Sequence, residues 1–394
     1  MEPLISQAKT MHHSLIEIRR AIHRYPEIGF QEHRTSQLIR TILQSYGVEI
    51  LPLNKETGVV GIIEGKQPGK VVALRADIDA LPVQEENDVS YQSQTPGVMH
   101  ACGHDAHIAC LLGAARLLVQ RRNELKGTVK LLFQPAEELF GGAQSLIDQG
   151  VLAAPKVDVI FGLHTKPDIP VGKIAFKSGP LMAAVDVIRI TVQGKGGHGA
   201  MPHTTLDPIV AAAAIIQGAQ TIVSRQVNPL DAVVISFGSI HGGEANNVIP
   251  EKVEIWGTVR TFCPQLRSGM PERLRSMVTH IAAAMNTEVD MMYRHDLPAV
   301  INPENLQKFC RQSLEKVVGA EGLVAAFPCM GGEDFAIYQQ QTPGVYFWLG
   351  TGSQSIGMDL QWHHPKFDID EGALPYGAAA LSQLTLDYLQ DFAD

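Results

Sequence analysis

Within nine residues, Met99-His100-Ala101-Cys102-Gly103-His104-Asp105-Ala106-His107 gathers a thiol, three imidazoles and a carboxylate. Cys and His are the usual ligands of zinc-like ions, Cys only as the thiolate. Alone, Cys102 reads as a buried thiol beside solvated histidines; the density of ligand types raises a metal site as the alternative. Other stretches add to it. Arg75-Ala76-Asp77-Ile78-Asp79 sets two acids two residues apart, so that both point to one side if a strand continues through them. Such a pair caps a turn, binds a metal or orients a histidine ligand. Gln134-Pro135-Ala136-Glu137-Glu138 sets two glutamates side by side, and His164 and His363-His364-Pro365 add imidazoles later in the chain.

The elements that must position these groups follow from hydrophobic periodicity. Val59 to Ile63, Val71 to Leu74, Thr128 to Phe133 and Val157 to Leu163 are short apolar runs, expected as buried strands. The last three end in Asp77/Asp79, Glu137/Glu138 and His164, respectively. In open α/β sheets the C-terminal edge of the strands is where sites form. The Met99 to His107 stretch lies between a turn-like run, Ser93-Gln94-Thr95-Pro96-Gly97, and an Ala-rich helical pattern from Ile108 to Val119. Further helices are expected over Leu4 to His23, Glu32 to Tyr46 (closed by Gly47), Asn302 to Val318, and Glu371 to about Leu389, with a strand at Val345 to Leu349.

From Ala183 the texture changes. A strand (Val185 to Val192), a glycine-rich loop (Gly194 to Gly199) and a helix (Asp207 to Val223) are followed by two strands (Ala232 to Ile240, Val253 to Phe262). A helix (Pro271 to Met285) and a strand (Glu288 to Tyr293) complete the run. This is the β-α-β-β-α-β order of the ferredoxin-like split motif. It closes on itself and reads as an insertion at residues 183–293, between catalytic segments 1–182 and 294–394.

Composition bounds the function. The 394 residues suffice for two domains, and 45% hydrophobic with 19% charged residues is ordinary for a globular enzyme. Lys+Arg of 32 against Asp+Glu of 41 gives a net charge of -9, which argues against nucleic acid or an anionic membrane as partner. The 5 Cys are odd in number and unpatterned, so a reduced, cytoplasmic setting is expected. The start, Met-Glu-Pro-Leu-Ile-Ser, has neither a basic n-region nor an apolar h-region, and the apolar run Ile209 to Val223 is too short to span a bilayer.

Taken together and in order, eight segments resemble the M20 metallopeptidase family. They are Arg19-Arg20-x-x-His23-x-x-Pro26-Glu27, Arg75 to Pro82, Met99 to Asp105, Gln134 to Glu138, Gly196-Gly197-His198-Gly199, Asn247-Val248-Ile249-Pro250, Gly331-Gly332-Glu333-Asp334-Phe335 and His363-x-Pro365-x-Phe367. The match is to the amidohydrolase branch, which includes hippurate hydrolases, aminoacylases, N-acetyldiaminopimelate deacetylases and auxin-conjugate hydrolases. The resemblance implies an α/β zinc-peptidase-like catalytic domain, its mixed sheet flanked by helices, with an inserted α+β ferredoxin-like lid that also dimerises.

It implies two divalent ions per subunit, with zinc, manganese, cobalt or nickel all compatible with the donors. Their ligands would be Cys102, His104, Glu138, His164 and His363, with Cys102 bridging where other branches place an aspartate. Many M20 enzymes carry His-x-Asp where this chain has Asp77-x-Asp79; in the amidohydrolase branch His104 takes over. Asp77 and Asp79 are then orienting residues, with Asp77 as a ligand left open. His363-His364 allows either imidazole, and the family spacing to proline selects His363. Glu137 is implied as general base, and His198 as a lid histidine that reaches a neighbouring active site. Asn247, Arg260, Gly332 and Glu333 would line the substrate, with Arg260 a candidate clamp for a carboxylate. The implied reaction is hydrolysis of an N-acyl amino acid by a homodimer. A dipeptidase or aminopeptidase of the same fold, and a catalytically silent metal-stabilised binding protein, are the alternatives.

Overall fold

The computed structural model describes residues 2–353 and 360–392. The chain divides into two compact units. One comprises the chain up to Leu181, Ile301–Phe327 and Asp334 onward; the other comprises Met182–Val300 and Pro328–Glu333.

The first unit is built on an eight-stranded mixed sheet. Its centre is parallel: Lys126–Gln134, Gln67–Asp77, Val159–Pro170 and Gly344–Gly352, in that spatial order. Val59–Glu64 and Glu49–Leu51 extend one side antiparallel, and Ile174–Phe176 and Leu323–Ala325 extend the other. Gly344–Gly352 is buried at every position, as a strand covered on both faces must be. The Ala-rich helix His104–Gln120 is buried along most of its length and packs with the C-terminal helix Leu374–Asp391 in one core. Each fully buried Leu or Ile there contributes roughly 1.5–3 kcal/mol over its exposed state.

Four differences from the sequence reading concern the site or its frame. The strand expected to stop before His164 runs on to Pro170, so His164 sits within it rather than at its end. The helix expected from Ile108 begins at His104, so that residue belongs to its first turn. The N-terminal helix breaks at Met11 into Leu4–Thr10 and His12–His23, a bend that leaves Met11 buried. Short strands at Glu49–Leu51, Ile174–Phe176 and Leu323–Ala325 carry too few residues to show a period.

The second unit has the β-α-β-β-α-β order. Its antiparallel sheet runs Val233–His241, Lys252–Thr261, Ala184–Gln193, Glu288–Leu297. Ala184–Gln193 alternates buried with less buried positions in its second half, and its inward residues Ile188, Ile190 and Val192 share a core with Ile215, Leu274 and Val278 of two helices. Those helices are Pro208–Thr221 and Pro264–Ala284. Asp207 caps the first by accepting from Ile209 N at 2.9 Å. The second starts at Pro264, a favoured first position, and carries Pro271 inside it. The unit extends beyond residues 183–293 because the last strand reaches Leu297, and because Ala183 N donates to Gly331 O at 2.9 Å while Met182 bridges to Cys329.

Candidate functional site

Three turns and one strand of the first unit converge on a cluster of donors. Ligand-capable atoms of Cys102, His104 and His164 lie within 4.8 Å of one another, as do those of Cys102, Glu138 and His363, and those of His104, Glu137 and Glu138. The Cys102–His104 corner depends on Gly103, which caps the helix in the left-handed region (φ +85°). A Cβ there would stand 2.5 Å from Thr165 Oγ1, so only glycine fits.

Hydrogen bonds sort the imidazoles. His104 Nδ1 donates to Asp79 O at 2.9 Å, and Asp79 Oδ1 lies 3.2 Å away. His104 Nε2 is left buried and without a hydrogen-bond partner among the described residues. His164 Nδ1 donates to Thr165 O at 2.9 Å, and its Nε2 lies 3.4 Å from Cys102 Sγ. His107 is saturated instead: Nδ1 faces Asp77 Oδ1 at 2.5 Å and Nε2 accepts from Thr165 N at 2.9 Å. In the late loop His363 Nε2 lies 3.3 Å from Glu138 Oε1, whereas His364 Nδ1 accepts from Lys366 N at 3.0 Å. His363 adopts a left-handed backbone (φ +67°), its N donating to Ala101 O at 2.8 Å.

The acids are sorted likewise. Arg75 Nη1 donates to Asp77 Oδ2 at 2.7 Å and His107 takes the other oxygen, while Asp77 Oδ2 also lies 3.8 Å from His104 Nε2. Asp79 turns one oxygen to His104 and accepts from Glu138 N with the other at 3.0 Å. A carboxylate behind a ligating imidazole fixes its tautomer and direction. Glu137 accepts from Asp334 N at 3.4 Å, and Asp334 in turn accepts from Arg75 Nη2 at 2.8 Å.

Charge in the cluster is strongly negative. Burial disfavours the His104 imidazolium, yet Asp77, Asp79 and Glu138 outweigh it and hold its pKa up to about 10. Burial, with Glu138, Glu137 and Asp77 adding to it, pushes the Cys102 thiol well above its ordinary range. Burial keeps His164 neutral and so able to ligate. His104 Nε2 and Glu138 Oε1, both buried and 4.0 Å apart, make no hydrogen bond among the described residues and stand beside a thiol and excess anions, which a divalent cation would satisfy. The donor set therefore fits metal.

The other candidates lie in the second unit. His198 is exposed on the two-residue strand Gly197–His198, which pairs with Val248–Ile249. Its Nδ1 accepts from Ala200 N at 3.0 Å, which places the proton of the neutral ring on Nε2. Asn247 O accepts from Gly199 N at 2.8 Å and so holds that loop. Arg260 is half-buried; its Nε donates to Thr258 Oγ1 at 3.1 Å, and Asp186 and Asp296 act on it through their charge without a salt bridge among the described residues. Gly332 lies against it, Nη1 being 3.4 Å from where a Cβ would stand, and Glu333 is buried in the same segment.

Sequence reasoning missed three supports. Arg75 is the hub between Asp77, Gln134 and Asp334. Trp362 stacks edge-on to His164 at 4.7 Å and donates from Nε1 to Thr165 O at 3.0 Å. Glu32 accepts from Ala136 N at 2.8 Å. Only the Arg75 signal, a charge inside an apolar strand, was visible in the sequence.

The model of peptidase family M20/M25/M40 matches residues 73–387. The chain is 43% identical over 383 residues to an N-acetylcysteine deacetylase of Bacillus subtilis, covering 97% of this chain and 98% of that one. It is 40% identical over 395 residues to thermostable carboxypeptidase 1 of Saccharolobus solfataricus, covering 98% of each. Among solved structures, a dinuclear metal-binding peptidase of the M20 family from Bacillus subtilis superposes with a TM-score of 0.85 at 40% identity, covering 97% of this chain and 99% of that one.

Proposed function

Given that the chain belongs to peptidase family M20/M25/M40, we propose that it is a metal-dependent amidohydrolase that cleaves N-acyl amino acids into a carboxylic acid and a free amino acid. The observation that carries this reading is the ring of donors around His104 Nε2 and Glu138 Oε1, two buried atoms without a hydrogen bond among the described residues. Cys102, His104, Glu138, His164 and His363 would hold two divalent ions, drawn from zinc, manganese, cobalt and nickel. Such ions supply Lewis acidity, making water more acidic and drawing charge from an amide oxygen.

The chain's own residues do the rest. Glu137 takes the proton of the attacking water as the new C–O bond forms, then delivers it to the nitrogen as the C–N bond breaks. Its hydrogen bond from Asp334 N keeps one oxygen fixed for that shuttle. His198, protonated on Nε2, donates to the oxygen of the tetrahedral carbon; a lost donor of this kind costs roughly 10²–10³ in turnover. Arg260, half-buried and without a salt bridge among the described residues, receives the substrate carboxylate. Asn247 shapes the His198 loop, and Gly332 and Glu333 line the substrate beside Arg260. We further propose that the second unit serves as lid and dimer contact, that His198 works in the partner's active site, and that the enzyme is cytoplasmic.

A deacetylase acting on N-acetylcysteine and a carboxypeptidase both, by name, release an amino acid with a free carboxylate. Peptides are therefore the second substrate class. Assays of N-acetyl amino acids, hippurate and simple dipeptides with added manganese, cobalt or zinc separate the readings. Release of free amino acid from the acylated substrates, with about two ions per chain by elemental analysis, is expected. Cleavage of dipeptides alone would overturn the N-acyl assignment, and no turnover with any metal would overturn both.

A further inference from the structure

The turn that presents Glu137 and Glu138 is gripped from behind at two backbone N–H groups. Ala136 N donates to Glu32 Oε1 at 2.8 Å, and Glu138 N donates to Asp79 Oδ2 at 3.0 Å. Glu137 lies between the two. Ala136 is left-handed (φ +50°), a conformation disfavoured for a residue with a Cβ, so something must hold it there.

Glu32 is fully buried at 0% exposure, and its Oε2 has no hydrogen-bond partner among the described residues. A carboxyl left half-satisfied in the interior is a poor packing residue. Its other oxygen accepts from Ala136 N. The loop that carries it is itself fixed. Glu27 accepts from Arg34 N at 3.0 Å and from Thr35 N at 2.8 Å, while Ala80 N, one residue past Asp79, donates to Glu27 O at 2.8 Å. At Gly29 the loop lies flush on the turn, since a Cβ there would stand 3.0 Å from the Ala136 Cβ. One loop thus backs both carboxylates of the grip.

We propose that Glu32 is a positioning residue for the hydrolysis: acting through the Ala136 N–H, it holds the Glu137–Glu138 turn in the left-handed form that aims Glu137. This rests on Glu137 being the base. Burial, with a contribution from Asp79, pushes the Glu32 carboxyl up to about 7, so near neutrality an amide is a close mimic.

The test uses full-length, metal-loaded protein and the best N-acyl substrate. Glu32→Gln keeps volume and acceptor oxygen; Glu32→Met keeps volume and lacks the acceptor. Turnover is measured per folded, metal-loaded chain, with KM and metal content beside it. Glu32→Gln should stay near wild type, and Glu32→Met should lose up to about 10²-fold in kcat at unchanged KM, the scale of a misplaced catalytic group. Equal kcat for the two variants overturns the proposal, because then the acceptor does not matter. Glu137→Gln is run in parallel. Full activity in that variant shows that the base assignment has failed; an inactive Glu137→Gln beside an unaffected Glu32→Met shows that the positioning role alone has failed.

Discussion

His23 shows how far the proposed ligand cluster is supported from behind. Its ring is buried, with Nδ1 2.8 Å from Asp105 Oδ2 and Nε2 3.2 Å from Glu85 Oε1. Arg19, also buried, reaches the same Asp105 oxygen at 2.9 Å and Glu371 at 3.1 Å. Asp105 follows His104, so this network braces the first turn of the ligand-bearing helix. Burial alone would lower the His23 pKa, but hydrogen bonds to Asp105 and Glu85 win and raise it to about 9. A pKa raised above its unfolded value of about 6.5 adds stability that is fully present below that pH and lost as pH rises through 9. The thermal midpoint should therefore fall between about pH 7 and pH 10, and His23→Gln should flatten that part of the curve. Parallel curves for the two proteins above neutrality would remove His23 from this role.

At the scale of elements, the proposed ligands come from places with different sequence signals. Glu137 and Glu138 follow a strand whose apolar run is plain, and Asp77 closes another, so both positions were legible. His164 was legible as a residue but not in its setting, because Thr165 to Pro170 carry polar and proline residues yet still belong to the strand. His363 is preferred over His364 on family spacing alone; the left-handed backbone at His363 is a difference no periodicity announces. Arg75 and Glu32 act through contacts distant in sequence, which one chain read without a fold cannot supply. The join at Gly103 offers a test. Gly103→Ala would place a Cβ 2.5 Å from Thr165 Oγ1 in a left-handed residue, a strain of at least about 1–2 kcal/mol. We expect a lower unfolding temperature together with reduced metal content, since Cys102 and His104 flank the glycine. Unchanged metal content in a destabilised protein would mean the two ligands are set independently of it.

For the whole molecule, activity is expected to depend on association. The four-stranded sheet of the second unit leaves Val233–His241 and Glu288–Leu297 as edge strands, and edges of this kind are commonly covered by two-fold pairing. If His198 serves the partner's site, mixing His198→Ala with Glu137→Gln chains should restore part of the activity, because a mixed dimer holds one site with both groups intact. Subunit exchange is followed by the mass of tagged chains; exchange without recovered turnover would confine His198 to its own subunit or to no catalytic role.

The two units are threaded rather than beaded: the chain passes between them after Leu181, Val300, Phe327 and Glu333. A recombination event that spliced out residues 182–300 would strand Pro328–Glu333, severing the Ala183–Gly331 bond and the Met182–Cys329 bridge. The same block transplanted into a relative would arrive without Gly332 and Glu333. Exchange of this module as a whole would thus require two separate stretches of gene to move together.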